Sequence, residues 1–117
     1  MAAATVPDRL EHILASIDSV FAYWKGKKKA SFLRDELRRA ATERHLAIIS
    51  EASRHIPKPD KADHPQIPWK DIAGIGNILR HRYDTVSDDR IWEIVSLELP
   101  ALRTAIEKIM AKHRGRD

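Results

Sequence analysis

Side chains that can exchange protons or bind phosphate are concentrated in one segment, IAGIGNILRHRYDTV, which covers residues 72 to 86. Asn77, Arg80, His81, Arg82 and Tyr83 lie within seven consecutive positions there. An imidazole with an ordinary pKa near ~6.5 takes or gives a proton at neutral pH, and a guanidinium clamps phosphate oxygens with its planar fork. Acid–base chemistry beside a phosphate is therefore one interpretation. The other is a helix end whose cations complement the helix dipole.

Helical geometry places these side chains on two faces. At about 100° per residue, Asn77 and His81 lie about 40° apart and share one face. Gly76, Arg80 and Tyr83 follow at i, i+4 and i+7 and share a second face. On an uninterrupted helix His81 and Tyr83 would point about 160° apart. A joint role for these two residues therefore requires the helix to end between them.

Elsewhere the sequence carries no recognisable metal or phosphate-loop motif. The six histidines show no HExxH or similar spacing, and no glycine-rich phosphate loop or nucleophile elbow occurs. His55, Asp60, Asp63 and His64 are close in sequence, but the intervening prolines give no reason for them to converge. The lack of cysteine excludes disulfides and thiolate ligands. We therefore expect no metal ion and no other cofactor.

A run of lysines connects the first two predicted helices. Four lysines between Lys25 and Lys29 surround Gly26 and have no acidic residue among them. Such a run is usually a solvated connection, and the alternative is a patch that follows a phosphate backbone. Lys27 and Lys28 are the candidates for that second role.

Apolar spacing predicts helices that position these groups. The first begins near Pro7 and ends at Gly26, which suits a left-handed cap. The second is predicted as a single helix from Ser31, a candidate cap, to His55. Its predicted inward residues are Leu33, Leu37, Ala40, Ala41, Ile48 and Ala52, with Leu46 and Ile49 broadening that face.

The third and fourth predicted helices flank the motif. The third begins near Pro68 and stops near Tyr83, and its predicted inward residues are Ile72, Ile75, Ile78 and Leu79. Ser87 or Asp88 caps the fourth, and Pro100 must kink or restart it. The fourth should bury Ile91, Ile94, Val95, Leu99, Leu102, Ile106 and Ile109. Residues 57–67 are predicted to be an irregular proline-rich loop and residues 112–117 a frayed tail.

The composition indicates a single all-α domain over residues 1–117. Four glycines, 32% charged residues and little β-branched alternation favour an up-down bundle of four to five helices. The net charge of +4 is compatible with nucleic-acid binding without requiring it. No signal peptide and no apolar stretch of the ~18 residues that span a bilayer is visible. The sequence therefore predicts a soluble, cytoplasmic protein without membrane contact.

Two longer segments carry a family resemblance. RRAATERHLAIISEA and IPWKDIAGIGNILRHRYDTVSDDRIWEIVSLELPAL together resemble the HepT-like family of the HEPN superfamily. The resemblance implies a helical bundle that forms homodimers and cleaves RNA without a metal ion. It also implies the toxin of a type II toxin–antitoxin pair, with an MNT-type nucleotidyltransferase antitoxin that attaches AMP groups to a motif tyrosine.

Carried over by position, the resemblance assigns roles to the motif residues. His81 matches the catalytic histidine, Tyr83 the tyrosine that accepts AMP, and Asn77 the polar residue after the motif arginine. The family has that arginine where this chain has Gly76. Arg80 lies one turn further on and could fold back into the vacated space, so the candidate catalytic residues are His81, Asn77 and Arg80.

The departure at Gly76 leaves two functions open. In the first, the chain is a ribonuclease in which Arg80 and Arg82, with Lys27 and Lys28, bind the RNA backbone. In the second, the chain is a catalytically impaired module that binds its partner or RNA without cutting. A glycine offers no replacement for a preorganised donor, whose removal typically costs ~10²–10³ in rate.

Overall fold

The structure is a computed structural model that describes residues 3–81 and 87–115. Its described residues form the all-α bundle expected from the composition. The helices are α1 (Val6–Trp24), α2 (Lys29–Arg34), α3 (Glu36–Ser53), α4 (Lys58–Ala62), α5 (Trp69–Arg80), α6 (Asp88–Glu93), a π-helical turn (Ile94–Glu98) and α7 (Leu99–Arg114). Helix α3 packs against both α1 and α5, and α1 packs against α7. Among these described residues, no helix is both long and apolar enough to cross a membrane.

Both ends of α1 follow from local sequence. Thr5 and Asp8 form a capping box, in which the Thr5 side chain accepts from the Asp8 N–H at 3.2 Å and the Thr5 N–H donates to Asp8 at 2.9 Å. After Trp24 the chain turns at Gly26, whose φ of +72° is the left-handed conformation predicted for it. The first helix therefore matches its prediction.

The second helix was predicted as one element, and that prediction was wrong. Asp35 has φ −102° and ψ 81°, which are not helical, so the chain divides there into α2 and α3. The Asp35 carboxylate accepts the Arg38 N–H at 2.9 Å and caps α3, because a short acidic side chain satisfies a free backbone donor best at a helix start. Ser31 lies inside α2 and does not cap it.

The buried side of α3 also differs from the predicted one. Leu37, predicted to face inward, is 84% exposed, and Leu33, which was predicted inward and lies on α2, is 43% exposed. Leu46 and Ile49, predicted at the edge of the face, are fully buried. The buried face of α3 is therefore rotated from the predicted one, since packing against α1 and α5 decides it rather than periodicity alone.

The proline-rich segment 57–67 is not irregular throughout, because residues Lys58–Ala62 form the helical turn α4. Prolines at the start of a helix lose no hydrogen bond, since the first backbone donors have no partner in any case. Asp60 on this turn is 3% exposed. It accepts from Lys112 Nζ at 2.9 Å and from His113 Nε2 at 2.8 Å.

These contacts correct the prediction for the C-terminus. Residues Lys112, His113 and Arg114 belong to α7 rather than to a frayed tail. Burial alone would raise the pKa of Asp60, but hydrogen bonds from Lys112 and His113 outweigh it and hold that pKa below its usual value. The last turn of α7 is therefore attached to α4 by a buried carboxylate.

The chain from α6 through α7 keeps its predicted buried face. Ser87 caps α6 by accepting the Arg90 N–H, as predicted. The π-helical turn precedes Leu99, and Pro100 stands in the first turn of α7, where its missing N–H is tolerated. All seven predicted inward residues, Ile91, Ile94, Val95, Leu99, Leu102, Ile106 and Ile109, are buried.

Candidate functional site

Helix α5 carries the candidate residues at its C-terminal end. Trp69 anchors its start, because the indole N–H donates to the carbonyls of Lys61 and His64 at 3.1 Å each. Ile72 and Ile75 are buried, whereas Ile78, predicted inward, is 41% exposed. The helix ends at Arg80, somewhat before the stop predicted near Tyr83.

The last turn of α5 brings two of the predicted site residues into contact. Arg80 Nη2 donates to Asn77 Oδ1 at 3.3 Å, and both side chains are exposed. His81 follows directly as the C-cap, with φ −113° and ψ 18°, and its ring belongs to an exposed residue. Amide, guanidinium and imidazole are therefore presented together at one exposed helix end.

Arg82 and Tyr83 lie outside the described residues. The sequence prediction required the helix to end between His81 and Tyr83, and α5 ends before His81. The roles predicted for Arg82 and Tyr83 stay predictions.

Gly76 lies where α5 approaches α3 closely. Ser50 Oγ, on α3, accepts the Gly76 N–H at 2.9 Å and donates to the Ala73 carbonyl at 2.9 Å. A β-carbon on Gly76 would stand 3.2 Å from that oxygen, closer than such contacts normally are. Ser50 is 1% exposed, so its hydroxyl is held in place at the interface of the two helices.

The Arg80 side chain extends toward Gly76. Its Nη1 atom lies 3.9 Å from the position that a β-carbon on Gly76 would take. The guanidinium therefore lies beside the space that Gly76 leaves without a side chain.

A polar cleft opens between α3 and α5 at this place. It has a volume of about 180 Å³ and is lined by Ala47, Ser50, Glu51, Arg54, Gly76, Asn77 and Arg80. A single water needs only roughly 10–15 Å³ of such space, so the cleft can hold a larger polar group. Two of its charged groups are guanidiniums and one is a carboxylate.

The α3 residues of this cleft were not among the predicted site residues. Ser50, Glu51 and Arg54 lie 22 or more positions before Gly76 in the sequence. A glycine in a helix does indicate a possible close approach of another element, but it does not identify that element. The sequence therefore indicated a close approach at Gly76 but did not identify α3 as the helix that approaches.

The two lysines predicted to bind RNA are at a different place. Lys27 lines an apolar groove of about 470 Å³ that also contains Trp24 and Trp92. Lys28 precedes α2 as its N-cap. In the part of the chain that the structure describes, no hydrogen bond or ion pair joins either lysine to Asn77, Arg80 or His81.

A second histidine cluster is internal. His45 Nδ1 lies 3.1 Å from Ser16 Oγ, and His45 Nε2 lies 3.2 Å from the Tyr23 hydroxyl. Burial, and the nearby charge of Arg44 to a lesser degree, lower the pKa of His45. Ser16 is 4% exposed, so this serine–histidine contact links α1 to α3 through a buried hydroxyl.

Comparison with known proteins relates this chain to ribonucleases. A family model described as "Ribonuclease HepT-like" matches residues 12–109. The chain is 35% identical over 105 residues to "Putative RNase TTE0752" of Caldanaerobacter subterraneus subsp. tengcongensis, covering 90% of this chain and 94% of that protein. It is 34% identical over 102 residues to "Probable ribonuclease HepT" of Thermococcus cleftensis, covering 87% and 93%. No solved structure matches the chain.

Proposed function

Because the chain belongs to the HepT-like ribonuclease family, we propose that it cleaves RNA without a metal ion at the exposed end of α5. The observation that carries this proposal is the grouping of Asn77, Arg80 and His81 in one exposed turn, with the Arg80 guanidinium beside Gly76. That group combines a proton carrier, an amide and a phosphate-binding cation. Among residues 3–81 and 87–115, no three His, Asp or Glu side chains are placed to hold a metal ion.

The reaction uses the ribose 2′-hydroxyl as an internal nucleophile. His81 takes the hydroxyl proton, the 2′ oxygen bonds to phosphorus, and the bond from phosphorus to the 5′ oxygen breaks. The leaving 5′ oxygen takes a proton from an imidazolium. In the proposed homodimer, the His81 side chain of the second protomer supplies that proton. The products are a 2′,3′-cyclic phosphate and a 5′-hydroxyl. Arg80 stabilises the negative charge that builds on the phosphate oxygens, and Asn77 orients Arg80 or the phosphate.

The proposed function is tested by incubating the purified protein with end-labelled RNA in excess chelator. We expect cleavage with cyclic phosphate ends, and we expect the His81→Ala variant to lose about 10²–10⁴ in rate. His64→Ala is the matched control, because His64 lies beside Trp69 at the start of α5, whereas His81 follows the opposite end of that helix. Cleavage that survives in His81→Ala, or that requires a divalent metal, would contradict this mechanism.

One observation favours a second candidate function. The family resemblance predicts an arginine where this chain has Gly76, and a β-carbon there would stand only 3.2 Å from Ser50 Oγ. In this alternative the chain binds a partner or RNA but does not cut. Growth arrest on expression of the chain alone, lost in His81→Ala, would support the ribonuclease. Partner or RNA binding with no cleavage and no arrest would support the binding module.

The toxin–antitoxin role is part of the same proposal. We expect a nucleotidyltransferase antitoxin to silence the chain by attaching AMP groups to Tyr83. The support is the position of Tyr83 two residues after His81, where a bulky nucleotide would obstruct the imidazole. Mass spectrometry after coexpression with a neighbouring nucleotidyltransferase should show added AMP masses on the Tyr83 peptide, and none in Tyr83→Phe. Equal modification in the phenylalanine variant would move the site elsewhere.

A further inference from the structure

A second arginine faces the α3–α5 cleft from the helix opposite the motif. Arg54, the C-cap of α3, lines the cleft together with Arg80, on α5. Arg54 Nη2 donates to the Ala73 carbonyl at 2.9 Å, which holds the side chain against α5. Within the described part of the chain, no other hydrogen bond or ion pair engages Arg54, so its remaining donors can bind a ligand.

The charge of the cleft suits an anion. Arg54 and Arg80 contribute two positive charges, and Glu51 contributes one negative charge while lying 3.3 Å from His55 Nε2. Two positive charges that line one small cleft repel each other. An anion bound between them attracts both and offsets that repulsion. The guanidiniums also supply the paired donors that match phosphate oxygens.

A ligand in the cleft can approach the backbone of α5 closely at Gly76. Gly76 has no side chain, and the Ser50 hydroxyl beside it already donates to the Ala73 carbonyl. A larger residue at position 76 would begin only 3.2 Å from Ser50 Oγ and would project toward Arg80. Glycine therefore keeps open the space that both arginines border.

We propose that this cleft binds one backbone phosphate of the RNA, with Arg54 and Arg80 as its two arms. The proposal rests on the proposed ribonuclease function and adds a residue that the motif does not contain. Arg54 supplies a phosphate contact from α3, so the binding site extends from the motif helix to its neighbour. Neither the sequence pattern at α5 nor the family resemblance assigns Arg54 this role.

Binding to an RNA that cannot be cut tests this proposal separately from catalysis. The probe is a short fluorescein-labelled RNA with 2′-O-methyl riboses, which keeps the phosphates and removes the nucleophile. Arg54→Gln should bind it about tenfold more weakly than the unmodified protein. The slope of log affinity against log salt, measured from roughly 50 to 200 mM, should become shallower by about 0.7, since one phosphate contact is lost.

Three further variants make the result specific. Arg54→Lys keeps the charge and loses the fork, so it should retain the salt slope while binding a few-fold more weakly. Glu51→Gln removes the negative charge and should bind about threefold more tightly. Arg114→Gln is the matched control, because it removes one exposed arginine from the end of α7 and should leave binding unchanged. Thermal unfolding of each variant reports whether the α3–α5 contact is intact.

The outcomes separate this inference from the proposed function. If the protein cleaves ordinary RNA but Arg54→Gln binds the probe normally, the phosphate site is wrong and the ribonuclease stands. If Arg54→Gln weakens binding while no protein cleaves RNA, the phosphate site stands and the ribonuclease is wrong. Equal losses in Arg54→Gln and Arg114→Gln would reflect net charge alone and would overturn the site.

Discussion

Nη1 of Arg80 lies 3.9 Å from the point where a β-carbon would stand on Gly76. The two residues are one helical turn apart, and Arg80 also donates to Asn77 on the same exposed turn. Arg80, four positions later in the sequence, thus reaches the space beside Gly76, where the family resemblance predicts an arginine. This relationship is the basis of the first prediction.

Placing an arginine at position 76 in a variant without Arg80 tests whether Arg80 fills the role that the resemblance predicts for an arginine at position 76. Arg80→Ala should lower RNA cleavage by about 10²–10³, because a preorganised cation for the phosphate is lost. Adding Gly76→Arg to Arg80→Ala should restore part of that loss. Restoration should be incomplete, since the new side chain begins 3.2 Å from Ser50 Oγ. Cleavage rates under single-turnover conditions measure both effects, and unchanged cleavage in Arg80→Ala would show that Arg80 has no such role.

The two glycines of α5 should respond differently to alanine. A β-carbon on Gly74 meets nothing within 4 Å, so Gly74→Ala should stabilise the fold by about 0.5–1 kcal/mol through helix propensity. Gly76→Ala should gain less or lose stability, because Ser50 must move and its hydroxyl is fixed by two hydrogen bonds. Urea unfolding of the two variants measures the difference. Equal stabilisation would mean that α3 adjusts freely at Ser50.

The buried Asp60 should make stability sensitive to acid. Asp60→Asn should cost about 2 kcal/mol at pH 7, since Lys112 and His113 lose a buried carboxylate. The folded protein holds the pKa of Asp60 below its usual value, so this contribution is complete above about pH 4 and is lost as the pH falls through the folded pKa. The stability difference between the two proteins should therefore shrink below about pH 4. A difference that stays constant down to pH 2 would contradict this account.

His45 should affect the stability of the fold in a higher pH range than Asp60 does. Its pKa is lowered in the folded protein, so the unfolded chain takes up a proton first as the pH falls below about 6.5. Stability should consequently decrease from about pH 6.5 downward. Substituting His45→Gln should remove that decrease while leaving the Asp60 effect below about pH 4. Unfolding free energies measured across the pH range, compared between the two proteins, would show whether the step belongs to His45.

Local chemistry was sufficient for the elements whose signals lie within a few residues. The cap at Ser87, the left-handed turn at Gly26 and the seven buried residues from Ile91 to Ile109 agree with prediction. Each depends on a short-range hydrogen bond or on a single strongly apolar helix face. The same cannot be said of α3, whose mixed composition leaves its buried side to the helices that surround it.

By itself, the sequence determined that this protein is an all-α member of a ribonuclease family and that Asn77, Arg80 and His81 lie along one short stretch of chain. The tertiary structure alone decided that Arg54 and Ser50 contact α5 at Ala73 and Gly76, and that the last turn of α7 is attached to Asp60. The reason is physical. A helix period encodes which residues neighbour one another along a helix, whereas the contact between two helices depends on how all of the helices pack together.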